Sequence, residues 1–511
     1  MNGAEALVQS LLNAGIDTCF ANPGTSEMHF VAALDRHPGM RCVLGLFEGV
    51  VTGAADGYGR MMDKPAVTLM HCGPGLTNGM ANLHNARRAN TPILNLIGDQ
   101  ADSIVALDPP LTADTTALAQ TLSVWTRRSN DPARVAADAM EGIRASMEAP
   151  GVASLILPSD AAWTEGGQIA AYLPPAPPTG PTGLAVDRAA QMLSNGKKTV
   201  LLLSNRALRE APLELAGRIA HKTGARLMTL SQIPRLQAGL GRVPIERIPY
   251  NVDLSIQALA GVEQIIQIGA REPVNFFAYP DKPNTPMPEG CTCHMVTRPD
   301  QDHLAALDAI AQAIGASENA PRPSAPDHGT LSGAPTPELL GAAIQKTLPE
   351  NAIIVDESVS YGRALLPAFT TANPHDYLHL NGGSIGLGIP MATGAATACP
   401  DRRVVALQAD GSALYTVQGL WTQAREGLNV TTIVLSNRSY AILQGEMTAV
   451  GAKPGPAAQE LFDLDRPSID WQSIAKGFGI PATRAENMED LVDQINRANN
   501  TPGPSLIELI I

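Results

Sequence analysis

Two groups of polar residues stand where enzymes tend to place chemistry, directly after apolar runs. Early in the chain, Asn22-Pro23-Gly24-Thr25 follows one such run, Glu48 ends a second in LGLFEGVVTGAADGYGR, and His71 ends a third in AVTLMHCGPGLTN. An acid, a hydroxyl and an imidazole brought to one rim serve proton transfer. His29, in TSEMHF, falls about one turn into the helix expected after Asn22-Pro23-Gly24, near enough to line substrate or water. Far along the chain, Asp410 follows RVVALQ in QADGSALYT and Asn437 follows TTIVL in LSNRSY, with helix-like sequence between them. Hard oxygen donors on neighbouring strand ends, with Gly411 and Ser412 where backbone approaches closely, suit Mg²⁺ holding a diphosphate. Taken singly, each residue also has a structural role open to it: Glu48 a helix-start carboxylate, Thr25 a cap, His71 a turn residue, Asp410-Gly411 a turn. Their coincidence on strand ends is what points to function.

The elements that must carry these residues follow the period of a parallel βαβ sheet. Strand-like runs at 18–21, 43–47, 66–71, 93–97 and 152–157 alternate with helix-like runs such as 4–14, where Leu7, Leu11 and Ala14 share a face and Gly15 is a stop. The pattern returns at 199–203, 226–230 and 264–268, and again at 352–355, 404–408, 431–435 and 505–511. Runs rich in Pro, Gly, Ala and Ser at 174–183 and 316–337 read as linkers. We therefore expect an α/β protein of three doubly wound parallel-sheet domains, at residues 1–165, 184–315 and 338–511. In such sheets ligands bind outside the carboxyl ends of the strands, which is where the polar residues above fall.

Composition narrows the classes. A net charge of −13, from 36 Lys and Arg against 49 Asp and Glu, opposes binding to nucleic acid or an anionic membrane. No segment approaches the ~20 apolar residues of a membrane span, and no basic region precedes an apolar run at the start. Six sparse cysteines fit a reducing, cytoplasmic setting. Cys291-Thr292-Cys293-His294 lacks a second ligand pair and reads as a strand with buried thiols, and Gly386-Leu387-Gly388 lacks the third glycine of a dinucleotide fingerprint.

The run ADGSALYTVQGLWTQAREGLNVTTIVLSNRSY resembles the cofactor motif of the thiamine diphosphate dependent 2-oxo acid decarboxylases and carboligases, which begins Gly-Asp-Gly and ends Asn-Asn. Ala409 and Ser436 replace the first residue of each end, and neither substitution removes a metal ligand. The resemblance covers nearly the whole chain and implies pyrimidine-binding, central and diphosphate-binding domains in that order. It implies that Asp410, the Asn437 side chain and the Ser439 carbonyl ligate Mg²⁺, with Gly411, Ser412 and Tyr440 near the diphosphate. Glu48 then corresponds to the glutamate that contacts N1′ of the aminopyrimidine and so promotes loss of the C2 proton; its carboxyl is expected to be partly desolvated. Ile385, in LNGGSIGLGIP, corresponds to the bulky residue that bends the cofactor.

Two branches of the family are represented. EGVVTGAADGYGR, Thr25 and His71 are similar to benzoylformate decarboxylases, whereas GPGLTN, Gly98-Asp99-Gln100 and the FFAYP run at 276–280 are similar to acetolactate synthase large subunits. Phe276, Phe277 and Ala278 stand where a decarboxylase takes a second catalytic histidine, which favours capture of the enamine by a carbonyl acceptor. The resemblance thus implies acetolactate synthase-like decarboxylation of a 2-oxo acid with carboligation, with benzoylformate decarboxylase-like turnover as the alternative and a catalytically degenerate partner subunit as the rival class. It implies a homodimer at minimum and a homotetramer as the expected assembly, and it leaves an FAD site in the central domain open. Residues such as Phe276, Phe277 and Leu443 would shape the substrate pocket.

Overall fold

The computed structural model describes residues 1–511. The chain forms two compact units, each gathered from separate stretches: Met1–Pro177, Leu380–Asp401 and Leu414–Val430 in the first, and Pro178–His379, Arg402–Ala413 and Thr431–Ile511 in the second.

The first unit is built on β1 (Thr18–Asn22), β2 (Arg41–Leu44), β3 (Ala66–His71), β4 (Ile93–Asp99), β5 (Ser123–Arg128) and β6 (Val152–Pro158). They lie in the order β2-β1-β3-β4-β6-β5, every pair parallel. The inner strands β4 and β6 are buried from end to end, as largely apolar strands are when helices cover both faces, and the polar Asn95 and Ser154 within them hydrogen-bond to each other at 3.0 Å. The helix Gly3–Asn13 begins with a capping box in which Asn2 Oδ1 accepts from Glu5 N at 2.9 Å and the Glu5 carboxylate accepts from Asn2 N at 3.3 Å. It buries Leu7, Val8 and Leu11. Helix Glu48–Met62 packs against helix Gly388–Ala398 at backbone range. A Cβ at Gly57 would lie 2.1 Å from the Met391 carbonyl oxygen, and one at Gly394 would lie 1.8 Å from that of Ala54.

The second unit holds two sheets. β7 (Thr199–Leu203), β8 (Arg226–Thr229), β10 (Glu246–Arg247), β11 (Gln264–Ile268) and β12 (Thr292–Thr297) form the five-stranded sheet β10-β8-β7-β11-β12, all parallel. The remaining strand of that stretch, β9 (Leu236–Ala238), instead joins β13 (Ile353–Glu357), β14 (His375–His379), β15 (Val404–Ala409), β16 (Val430–Ser436), β17 (Ala482–Ala485) and β18 (Ser505–Ile510). Their order is β17-β18-β16-β15-β13-β14-β9, with β9 antiparallel to β14. The doubly wound α/β expectation is met, with β9 as an addition that periodicity did not signal. Residues 166–182 and 316–336 carry neither strand nor helix, and no helix is long and apolar enough to cross a membrane.

Candidate active site

In the first sheet the strand order reverses between β1 and β3, so a crevice opens beyond Asn22 and His71, the last residues of those strands. Glu48 is the first residue of its helix and only 7% exposed. Asn22 Nδ2 donates to Oε1 and Asn78 Nδ2 to Oε2, both at 3.0 Å, so each carboxylate oxygen is fixed from one side. The helix start adds a favourable field for a negative charge. Glycine at position 75 keeps the space beside Oε1 open, since a Cβ there would sit 3.3 Å away. The result is a buried, oriented carboxylate with acceptor capacity remaining, as proton exchange with a ligand ring nitrogen requires.

His71 belongs to a second cluster on the same crevice. Its Nδ1 lies 2.8 Å from Ser26 Oγ and 3.1 Å from Glu27 Oε2, while Ser26 Oγ also donates to Glu27 Oε1 and lies 3.3 Å from Cys72 Sγ. Glu27 is buried and receives the Gly24 N–H at 2.6 Å. An imidazole whose Nδ1–H is directed at a buried carboxylate keeps its Nε2 lone pair for the crevice. Thr25 is the exposed first residue of the turn Thr25–Glu27, and the exposed His29 sets its ring edge-on to Trp163 at 5.9 Å between centroids. Neither hydrogen-bonds to Glu48 or His71. Ile385 is half-buried in the loop 381–386, which the helix Cys72–Ala89 holds: Asn85 Nδ2 donates to the Ser384 carbonyl at 2.7 Å and Asn82 Nδ2 to the Gly386 carbonyl at 3.2 Å.

Sequence reasoning missed Ser26, Glu27, Asn82 and Asn85 and gave Asn78 no role. The asparagines did leave a signal: 78, 82 and 85 recur at helical spacing and form one polar stripe on their helix.

In the second unit, Asp410 directly follows β15, beside β13 where the order of the seven-stranded sheet reverses. It is 2% exposed. Burial pushes its carboxyl up, while the Arg438 N–H at 2.7 Å and the Gly411 N–H at 2.8 Å draw it down; no cationic side chain pairs with it. Asn437 Oδ1 accepts the Ser439 N–H at 3.0 Å in the turn that Arg438, at φ 55°, completes. The Tyr440 ring covers Gly411, where a Cβ would come within 2.5 Å of it. Ser412 Oγ accepts from Gln408 Nε2 at 2.6 Å, and that amide also donates to Glu357 at 3.2 Å. A buried carboxylate countered by backbone amides alone, with an amide oxygen at the neighbouring strand end, offers the kind of oxygen donors that hard divalent cations take. In the five-stranded sheet the reversal lies between β7 and β11, and there a Cβ at Gly269 would meet His303 Nε2 at 2.6 Å and the Ser204 carbonyl at 3.0 Å. His303 thus packs against the backbone at that reversal.

Residues 1–121 match the family model for the thiamine pyrophosphate enzyme N-terminal TPP binding domain, and residues 360–509 match that for the C-terminal TPP binding domain. The chain belongs to the thiamine pyrophosphate enzymes. A provisionally named acetolactate synthase large subunit, IlvX, of Mycobacterium tuberculosis is 46% identical over 100% of this chain and 99% of its own. The benzoylformate decarboxylase of Pseudomonas aeruginosa is 27% identical over 99% and 98%. Among solved structures, the thiamine diphosphate-dependent 4-hydroxybenzoylformate decarboxylase of Rhodococcus jostii RHA1 superposes with a TM-score of 0.84 at 25% identity, over 99% of this chain and 98% of that one. This thiamine pyrophosphate enzyme therefore has thiamine diphosphate as its cofactor and carries Glu48 in the first matched domain and Asp410 and Asn437 in the second.

Proposed function

We propose that this enzyme decarboxylates a 2-oxo acid and joins the remaining fragment to a second carbonyl compound, in the manner of an acetolactate synthase, with Mg²⁺ as its metal. The observation that carries the reading is the buried Glu48 carboxylate held by Asn22 and Asn78. Asp410, Asn437 and the Ser439 carbonyl would hold Mg²⁺, and Gly411, Ser412 and Tyr440 would border the diphosphate. When bound, thiamine diphosphate supplies a nucleophilic carbon for the oxo group and a sink for the electrons released with CO2. Glu48 exchanges a proton with the aminopyrimidine, and its two asparagine donors keep it from turning away. Ile385 would offer the bound cofactor an apolar support. Thr25 and His29 act, in this reading, on the substrate side.

Carboligation is favoured because the run at 276–280 presents aromatic rings in place of an imidazole. Phe276 and Phe277 meet edge to face at 5.0 Å, and Phe276 packs on Tyr250 at 5.1 Å. A second reading, benzoylformate decarboxylase-like release of an aldehyde, is favoured by His71, whose Ser26 and Glu27 partners leave the Nε2 lone pair free to take up a proton and pass it on to the substrate carbon. We take the enzyme to work as a homodimer at least and as a homotetramer in full, in the cytoplasm; sizing of the holoenzyme tests the assembly. The deciding experiment is product-resolved NMR of a panel of 2-oxo acids with thiamine diphosphate and Mg²⁺. Hydroxyketone as the main product is expected. Aldehyde alone would move the assignment to the second reading, and cofactor binding with no turnover across the panel would refute both.

A further inference from the structure

Cys72 has no part in the chemistry above, yet it is set with care. It is 1% exposed and its backbone sits at φ 51°, the left-handed region that side chains other than glycine rarely occupy. That conformation turns Sγ toward Ser26 Oγ at 3.3 Å and His71 Nδ1 at 3.8 Å. The ligand-type atoms of Glu27, His71 and Cys72 all lie within 4.8 Å of one another. Two glycines make the room: a Cβ at Gly98 would fall 1.6 Å from Glu27 Oε1, and one at Gly24 would fall 2.2 Å from the His71 ring.

We propose that Glu27, His71 and Cys72 form a binding site for a thiophilic divalent cation of the zinc type, and that its occupancy removes His71 from proton transfer. A tetrahedral zinc with bonds of about 2.0–2.3 Å places its ligand atoms about 3.4–3.6 Å apart. The observed separations, 3.1 Å from nitrogen to oxygen and 3.8 Å from sulfur to nitrogen, lie on either side of that value, and Ser26 Oγ, which now bonds to all three residues, has to rotate out of the cluster to admit the ion. One carboxylate, one imidazole and one thiolate leave a fourth position for water or a further ligand. Soft sulfur and imidazole donors select zinc or cobalt over magnesium, whereas the all-oxygen set at Asp410 has the opposite preference. The two ions therefore do not compete for one site.

Without metal the thiol is idle. Burial pushes it up to about 11, with Ser26 drawing it down and Glu27 and Asp99 adding to the rise, so it is protonated and unreactive near neutrality. On binding, zinc takes lone pairs from a Glu27 oxygen, His71 Nδ1 and Cys72 Sγ; the thiol proton leaves to solvent, and the imidazole's remaining proton rests on Nε2. That is the opposite tautomer from the one Glu27 favours in the free protein. Nε2 then has no lone pair with which to accept a proton. The inhibitory half of the inference rests on the role proposed above for His71; the binding half does not.

The test uses the full-length holoenzyme with thiamine diphosphate and excess Mg²⁺, titrated with Co²⁺ and then with Zn²⁺. One equivalent of Co²⁺ is expected to give thiolate-to-cobalt charge-transfer absorption in the near ultraviolet, which Zn²⁺ abolishes by displacement, while turnover falls in step and a chelator restores it on return of Mg²⁺. Cys72→Ser should lose the absorption and weaken Zn²⁺ binding about a hundredfold or more. His71→Gln, which keeps the thiol, should weaken Co²⁺ binding comparably, so the inference stays testable if either variant folds poorly. Absence of the absorption in wild type, or its persistence in Cys72→Ser, would overturn the site. A full-strength band with undiminished turnover would overturn the inhibition, and the spectrum reads the site even if no substrate in the panel is consumed.

Discussion

Replacing Glu48 by Gln separates the placement of this residue from its proton. In the wild type both carboxylate oxygens accept from amide N–H groups, Asn22 Nδ2 and Asn78 Nδ2, each at 3.0 Å. Gln offers one oxygen, so one asparagine keeps its acceptor while the other faces an NH2 group and loses a bond to a charged partner, worth about 1.5–3 kcal/mol. The favourable interaction of the carboxylate with its helix start, about 0.3–1 kcal/mol, is lost as well. The first unit should therefore be destabilised by about 2–4 kcal/mol, a modest effect beside the expected fall in turnover of about a hundred- to ten-thousandfold for removal of a general acid–base group. Denaturant unfolding followed at Trp125 and Trp163, calorimetric titration with thiamine diphosphate, and CO2 release measured on one preparation give the three quantities. Glu48→Asp keeps the charge one methylene short and should recover stability ahead of turnover. The reasoning is refuted if Glu48→Gln turns over within threefold of wild type, or if all of its lost turnover returns at saturating cofactor.

Three further outcomes are expected. Asp410→Ala should abolish Mg²⁺-dependent binding of thiamine diphosphate, measured by calorimetry, while leaving the six-stranded sheet of the first unit intact by hydrogen exchange. Gly57→Ala drives a methyl group to 2.1 Å from the Met391 carbonyl oxygen, which is backbone and cannot step aside, and should cost about 1–3 kcal/mol in unfolding free energy; a neutral result would show that the two helices separate freely. His303 and His375 fold neutral, each lowered to about 4 from 6.5 chiefly by burial, so the unfolded chain takes up protons that the folded chain refuses. Their contribution is intact above about pH 6.5 and is lost as pH falls toward 4; at pH 5 the second unit should be about 2 kcal/mol less stable per histidine than at pH 7, and His375→Gln should remove one share of the difference.

Strands buried on both faces were plain in the sequence, because short, mostly apolar runs such as those of β4 and β6 are what an α/β sheet covered on both faces calls for. Strands whose burial is purchased by ion pairs were not. β14 reads HDYLH, yet it is buried along most of its length because Arg235 at 2.6 Å and Arg402 at 2.7 Å hold Asp376 below its ordinary range against the opposing effect of burial, and because His375 is neutral. β5 was missed for a related reason: it is an edge strand with a mostly half-buried surface ending in Arg127 and Arg128. At the site, Glu48, His71, Asp410 and Asn437 were visible because each directly follows an apolar run in the sequence. Ser26 and Glu27 sit inside a short turn, where polar residues are expected in any case, and only the space left by Gly98 shows that Glu27 points inward. The expected strand at 43–47 ends at Leu44, since Gly45 lies against Val51 and the chain turns at once into the Glu48 helix.

The discontinuous make-up of the first unit has a bearing on how the protein is born. Its stretch Met1–Pro177 leaves the ribosome first, but the segments that complete it end only at Val430. At ordinary rates of synthesis the wait is roughly 13–50 s. For most of that interval the face of the nascent helix bearing Gly57 lacks the helix it packs on, because a long stretch of unrelated chain must emerge before Met391 and Gly394 arrive. A gene cut after the first linker should accordingly yield a sticky, chaperone-bound fragment, and soluble material should reappear when the missing segments are co-expressed in the same cell.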